Sequence, residues 1–133
     1  MTNKVKKEIE ELIKKDKLNC SVEEFIRSVD FYSLSIRWAL SEDFIREFKD
    51  KVSWHNNSAW QKMSESFIRE FQDKVNWNYI FEFQNLSKDF IREFYDRGNA
   101  EYLKNNKMID AEILLELKEE MKIHSRFEIL DIR

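Results

Sequence analysis

The stretch SEDFIREFKDKV at residues 41–52 returns as SESFIREFQDKV at residues 64–75 and as SKDFIREFYDRG at residues 87–98. The serines that open it, Ser41, Ser64 and Ser87, are therefore 23 residues apart. A fixed period of roughly 20 to 50 residues marks a supersecondary unit that cannot bury its apolar face alone and stacks on copies of itself. The chain is accordingly predicted to be a tandem repeat, an architecture that mostly binds other molecules.

An older and eroded copy of the unit lies upstream of the three clear ones. Counting back 23 residues aligns Phe25 with Phe48 and Phe31 with Trp54. The array is therefore predicted to run from about Leu18 to about Gly98.

Within each unit the spacing predicts two short helices. Phe44, Ile45, Phe48 and Val52 form one apolar stripe of a 3.6-residue helix. The serine before this stripe is well placed to cap the first helix. The second helix is predicted to follow another set of good N-cap residues, Asp30, Ser53 and Asn76. None of these helices is long enough to be stable alone, so the core must come from stacking.

Charged residues occupy the opposite face of each first helix. Arg46 and Asp50, like Glu47 and Lys51, are four residues apart, and the same pairs recur in the next two units. They are predicted to form ion pairs within one helix, each contributing only about 0.2 to 0.5 kcal/mol.

The second helix of the middle unit departs from the pattern. Trp54, Asn57, Ser58 and Gln61 make a polar stripe where the neighbouring units carry more apolar residues. Because His55 and the asparagines are poor helix formers, a locally irregular helix is predicted here. The alternative is that the polar face contacts something.

The two ends of the chain are predicted to cap the array. Residues 1–17 form an N-terminal capping helix through Val5, Ile9 and Leu12. Gly98 suits a left-handed C-cap, where the repeats end, and residues 99–133 supply a C-terminal capping helix and a tail. The tail, residues 126–133, either packs on the last helix or serves as a docking segment. The predicted fold is one all-α domain, residues 1–133, built as a compact α-solenoid of two-helix repeats.

Composition agrees with this fold, because one glycine, no proline and 37% charged residues leave little support for strands or long loops. No apolar run suffices to span a bilayer, and the lysine-rich start lacks the apolar segment of a secretory signal. Cys20 is alone, which fits a reducing compartment and the role of a small packed residue. An intracellular, cytoplasmic location is expected.

The sequence contains no pattern that indicates catalysis. It has no glycine-rich phosphate loop, no Gly-x-Ser-x-Gly and no His-Glu-x-x-His, and its two histidines and one cysteine offer no zinc set. An enzyme, a metal site or a cofactor is therefore not expected. Nucleic acid is not the expected partner, since the net charge is −3 and no basic stripe is present.

The binding face is expected at positions that vary between matching repeats, because stacking needs the repeated residues and leaves the others available. Trp60 and Tyr79 are the strongest predicted anchors, since exposed rings dominate binding hot spots. The predicted partner-binding residues are Lys49, Gln72 and Tyr95 on the first helices and His55, Asn56, Trp60, Asn78, Tyr79 and Phe83 on the second helices.

The repeated unit, from about Leu18 to Gly98, resembles the short Phe-Ile-Arg-Glu-Phe repeats that occur in tandem in proteins of large DNA viruses and some phages. The resemblance implies a viral or phage origin and an interaction role, and it assigns no catalytic residue. We therefore expect a non-catalytic protein-binding module, a monomer or small homo-oligomer, that inhibits a host protein such as a CRISPR-type defence effector by covering its surface. The open alternatives are a self-assembling structural repeat protein and a nucleic-acid-binding helical repeat.

Overall fold

The computed structural model describes residues 1–120, and this part of the chain is all-helical. Met121, His124 and the predicted tail at residues 126–133 lie outside the described residues. The α-helices are α1 (Asn3–Lys15), α2 (Val22–Ser28), α3 (Phe31–Arg37), α4 (Glu42–Glu47), α5 (Trp54–Trp60), α6 (Glu65–Glu70), α7 (Trp77–Phe83) and α8 (Lys88–Phe94). A short 3-10 turn at Tyr95–Arg97 and a 3-10 helix at Ala100–Asn105 follow, and residues 111–120 form α9.

The predicted N-caps are confirmed in every unit. Ser41 Oγ accepts a hydrogen bond from the Phe44 N–H at 3.0 Å, and Ser64 and Ser87 do the same for α6 and α8. Asp30, Ser53 and Asn76 cap α3, α5 and α7. These caps explain how helices of six or seven residues are held, since each satisfies an otherwise orphaned amide.

The second helices of successive units lie side by side. Helix α3 packs against α5, α5 against α7, and α7 against the 3-10 helix Ala100–Asn105. Asn99 caps that 3-10 helix and stands 23 residues after Asn76. The 3-10 helix is thus the second helix of the third unit, and the repeat end predicted at Gly98 falls inside that unit.

Gly98 does not adopt the predicted left-handed conformation, because its backbone is extended, with φ −153° and ψ −164°. The position instead requires glycine for lack of space. A Cβ there would lie 2.9 Å from Asn78 Oδ1, 2.9 Å from the Trp77 Cβ and 3.3 Å from the Phe81 ring. Gly98 therefore marks a close approach of the third unit to α7.

Aromatic rings join each second helix to the first helix that follows it. The Trp54 ring centroid lies 5.0 Å from that of Phe71 on the next unit. One unit later, Trp77 stacks on Phe94 at the same distance of 5.0 Å. Each indole N–H also donates a hydrogen bond, with an N–O distance of 2.9 Å, to the backbone carbonyl of the residue five positions earlier. The rings therefore fill the space between units while their polar atoms remain satisfied.

Buried amide side chains form a second link between units. Gln61 Nε2 donates to the carbonyls of Ser35 and Trp38 at 2.6 and 2.7 Å, and Gln61 Oε1 accepts from the Leu40 N–H at 2.7 Å. Gln84 repeats the arrangement on Ser58, Gln61 and Met63, and Asn106 donates to Phe81 and Gln84. Each amide thus holds the end of the preceding second helix in register.

The ion pairs predicted within single first helices are wrong. Helix α4 ends at Glu47, so Asp50 and Lys51 lie beyond its last turn. Arg46 instead reaches the next unit, with Nε and Nη2 donating to Glu70 at 3.0 and 2.9 Å, and this hydrogen bond lowers the pKa of Glu70. Arg69 with Glu93 and Arg92 with Glu120 repeat the contact. These pairs are exposed and contribute little stability each, but they favour one register.

The helices at the two ends, α1 and α9, contact the neighbouring unit through the same kinds of polar contact that the units make with one another. Glu42 accepts hydrogen bonds from the N–H and hydroxyl of Ser64, and Glu65 does the same for Ser87. Ahead of the first clear unit, Glu8 of α1 makes this contact with Ser41. At the other end, α9 supplies Glu116 to Lys88 and Glu120 to Arg92.

Candidate interaction surface

The outer face of the second helices carries a group of exposed apolar side chains. Trp60 of α5 is 65% exposed, more than any other large apolar residue in the described part of the chain. The exposed large apolar residues of the second helices are Tyr32, Ile36, Trp60 and Phe83, and Met108, which follows the 3-10 helix, is exposed as well. Isolated exposed apolar residues are ordinary, but neighbouring ones mark interaction sites.

Three of these side chains surround one cleft of about 430 Å³. Trp60, Phe83 and Met108 come from three successive units and line it together. The remaining lining residues are Ala59, Gln61, Lys62, Met63, Gln84 and Asn85. We call this cleft, with its lining residues, the aromatic cleft.

More rings extend the surface beside the aromatic cleft. The imidazole of His55 meets the Tyr79 ring edge-on, with centroids 4.5 Å apart, and Tyr79 lies 5.8 Å from Phe83. The His55 Nδ1 accepts a hydrogen bond from the Asn76 side-chain amide at 3.1 Å. Four predicted partner-binding residues, His55, Trp60, Tyr79 and Phe83, thus share one face.

Three other predicted partner-binding residues make hydrogen bonds within the chain. Asn56 is buried, and its amide donates to the Tyr32 carbonyl at 3.2 Å, so it offers no surface to a partner. Asn78 Oδ1 accepts from the Asn99 N–H at 2.8 Å, and Gln72 bonds Arg97. Variation between units at these positions reflects local hydrogen bonding.

Lys49 and Tyr95 lie on the first-helix side of the repeat and take no part in the aromatic cleft. Lys49 is exposed in the turn after α4, where its carbonyl accepts from Trp54. Tyr95 is half-buried and packs against the core. The two groups of predicted residues therefore do not form one site.

Sequence reasoning missed Met108 and Lys62 as lining residues of the aromatic cleft. Met108 falls in the range predicted as the C-terminal capping helix, but it precedes α9 and is 54% exposed. Lys62 follows Gln61 in the link between units. Trp60 and Phe83 are 23 residues apart, which is one repeat period. This spacing is the sequence signal that would have indicated a binding face running across successive second helices.

A second apolar cleft, of about 420 Å³, lies between the 3-10 helix and α9. Leu103 and Leu114 line it together with Leu115, which is 64% exposed. Lys104, Lys118 and Glu101 also line it. This cleft marks the C-terminal end of the stack.

The chemistry of these surfaces is that of apolar contact. Among residues 1–120, no three histidine, cysteine or acidic side chains are grouped so that they could bind a metal ion. No helix in the same range has the length and apolar character needed to cross a membrane. No protein-family model, curated protein or solved structure matches this chain.

Proposed function

We propose that the protein is a non-catalytic protein-binding module, a compact α-solenoid whose outer row of second helices forms the binding face. The supporting observation is the aromatic cleft, where Trp60, Phe83 and Met108 from three successive units remain exposed around one concavity. Tryptophan is the residue most often found at binding hot spots, and an exposed indole beside an apolar cleft gains most from being covered by a partner.

The repeat architecture supports this proposal because it separates folding from binding. Core rings, buried amides and capping serines hold successive units together. The outer side chains of the second helices are not needed for those contacts, so they are available for recognition.

The more specific part of the proposal is that the module acts inside a host cell, where it covers the surface of a host protein such as a defence effector. This part follows from the resemblance of the repeats to tandem repeats of viruses and phages. Surface occlusion requires no catalytic group and suits a monomer or small homo-oligomer.

Self-assembly is the second candidate, and the cleft between the 3-10 helix and α9 favours it. That cleft lies at one end of the stack, where a second copy could continue the array. Sedimentation at two protein concentrations separates the candidates, because end-to-end association produces species that grow with concentration.

Affinity capture tests the binding proposal. Wild-type protein and a Trp60→Ala/Phe83→Ala variant are used on nuclease-treated host lysate, and candidate partners are purified and titrated. Leu18→Ala/Leu115→Ala is the matched control, because it removes two similarly exposed apolar side chains elsewhere. We expect binding of one purified protein to be lost in the first variant and kept in the control.

Circular dichroism must show that the variants fold. Binding that survives Trp60→Ala/Phe83→Ala in a folded protein contradicts the proposed face. Binding that disappears after nuclease treatment supports nucleic acid as the partner instead.

A further inference from the structure

The polar groups around the aromatic cleft restrict what it can bind. Gln61 and Gln84 line the cleft, but both amides are buried and already bonded to the backbone of the preceding unit. The polar side chains left for a ligand are therefore Lys62 and Asn85, which are both exposed. No carboxylate of residues 1–120 lines the cleft, and Lys62 is the charged residue among the described lining residues.

Lys62 differs from three arginines of the array in forming no ion pair with any residue of the described range 1–120. Arg46, Arg69 and Arg92 each pair with a glutamate across a unit boundary. Within residues 1–120, no carboxylate forms an ion pair with Lys62, nor with Lys107, the residue before Met108. Lys62 therefore lines an apolar concavity as a cation that forms no ion pair with the described residues.

The volume and lining of the cleft indicate the size of the inserted group. Ala59 and Met63 line it together with Trp60 and Phe83, and a volume of about 430 Å³ accommodates one or two large side chains. An aliphatic or aromatic side chain would be covered by three apolar residues. A neighbouring carboxylate could reach the Lys62 ammonium and accept from the Asn85 amide.

We propose that the aromatic cleft takes a segment of a partner protein that carries a large apolar side chain next to one or more carboxylates. This inference rests on the proposed function and names the class of partner. The apolar side chain supplies affinity by burial, whereas the carboxylate supplies selectivity, because a basic segment would place like charges together at the edge of the cleft.

The test uses a phage-displayed library of random 16-residue peptides selected on the full-length protein. Enriched peptides are synthesised with a fluorescent label and titrated by polarisation. We expect them to carry net negative charge with an apolar residue close to an acidic one. Lys62→Glu should weaken their binding by at least roughly tenfold, as charge reversal at an interface does.

Lys51→Glu is the matched control, because Lys51 is an exposed lysine of the same array that lies in the turn after α4. Its reversal should leave binding within about twofold, as expected for a charge remote from the contact. Phe83→Ala should also weaken binding by roughly tenfold, since it removes part of the apolar cover.

Several results would overturn the inference. They are enrichment of neutral or basic peptides, insensitivity to Lys62→Glu, failure to enrich any peptide, and tighter binding of a labelled oligo(dT) strand that depends on Phe83. One result separates the two proposals. If Trp60→Ala/Phe83→Ala abolishes binding of the captured partner but Lys62→Glu leaves that binding unchanged, the proposed acidic segment is wrong while the proposed function stands.

Discussion

Helices α5 and α7 occupy the same place in adjacent units, yet they bury opposite chemistry. Where α7 places Ile80 and Phe81 in the core, α5 places Asn57 and Ser58, and all four are completely buried. Both helices are seven residues long and begin at a capped position. The irregular α5 predicted from its polar sequence is therefore wrong, and its polar stripe contacts the neighbouring helices α3 and α7.

Groups other than the apolar core of the second helix therefore hold the units in register. Gln61 and Gln84 follow α5 and α7 and bond the preceding unit in the same way. The rings of Trp54 and Trp77 each contact a phenylalanine of the next unit, with centroids 5.0 Å apart in both cases. With both ends of the helix fixed, its core positions can vary.

The largest expected effect comes from removing each unit in turn. Deletion of residues 39–61 removes α4 and α5, and deletion of residues 62–84 removes α6 and α7. Both variants should fold, since each junction keeps the unit spacing and both end helices. Losing Ile80 and Phe81 should cost about 4 kcal/mol more than losing Asn57 and Ser58, because each large apolar side chain contributes about 1.5 to 3 kcal/mol on burial.

Urea unfolding of the two deletion variants measures this difference. Equal stabilities would contradict the assignment of a weak core to α5. Aggregation of both variants would contradict the modular reading of the array.

The next prediction concerns the buried glutamine that follows each of the two helices, Gln61 after α5 and Gln84 after α7. Gln84→Leu keeps the volume but leaves the Met63 N–H and the Ser58 and Gln61 carbonyls without their partner. We expect a loss of about 3 kcal/mol, since each abandoned buried group costs about 1 to 3 kcal/mol and some regain water. Gln61→Leu should cost a similar amount in the α5 unit. A loss below about 1 kcal/mol in urea unfolding would show that these bonds do not hold the register.

The two units also differ in the sizes of two corresponding side chains. In the later unit the large Phe81 lies close to Gly98. One unit earlier the corresponding residues are the small Ser58 and the larger Val75, and the Asn76 N–H donates to Ser58 Oγ at 2.9 Å. Gly98→Val should lower stability by about 2 kcal/mol through overpacking.

In a Phe81→Ser background the same Gly98→Val change should cost at least about 1 kcal/mol less, because the smaller residue makes room. A double-mutant cycle by thermal or urea unfolding measures the coupling. Additive effects would reject the proposed complementarity of Phe81 with Gly98 and Ser58 with Val75.

The smallest effect is a gain. Asn57 stands at the position of Leu34 and Ile80, and neither of its side-chain polar atoms has a hydrogen-bond partner in the described part of the chain. Asn57→Leu should raise the free energy of unfolding by about 1.5 kcal/mol, because burial of an unpaired amide costs about 1 to 3 kcal/mol. Ile80→Leu is the control and should change stability by less than about 1 kcal/mol. A destabilised Asn57→Leu variant would mean that the amide is satisfied in solution.

Prediction from sequence worked where the signal was local. The serine and asparagine caps and the all-helical class of the described residues follow from residues within a few positions of one another. The ion pairs failed because the first helices stop one turn too early for the predicted spacing. The exposed Trp60 and Phe83 were found by their variation between units, whereas the same criterion selected Asn56, which is buried.

The period of 23 residues, the helix starts and the helical class can be read from the amino-acid sequence, because they depend on repetition and on short-range hydrogen bonding. Which polar residues point inward depends on the packing of the helices. Gln61 and Gln84 become links only when the preceding helix end lies above them, and Gly98 becomes necessary only beside Trp77 and Phe81. Contacts between units depend on how the helices stack, which the spacing within one unit does not encode.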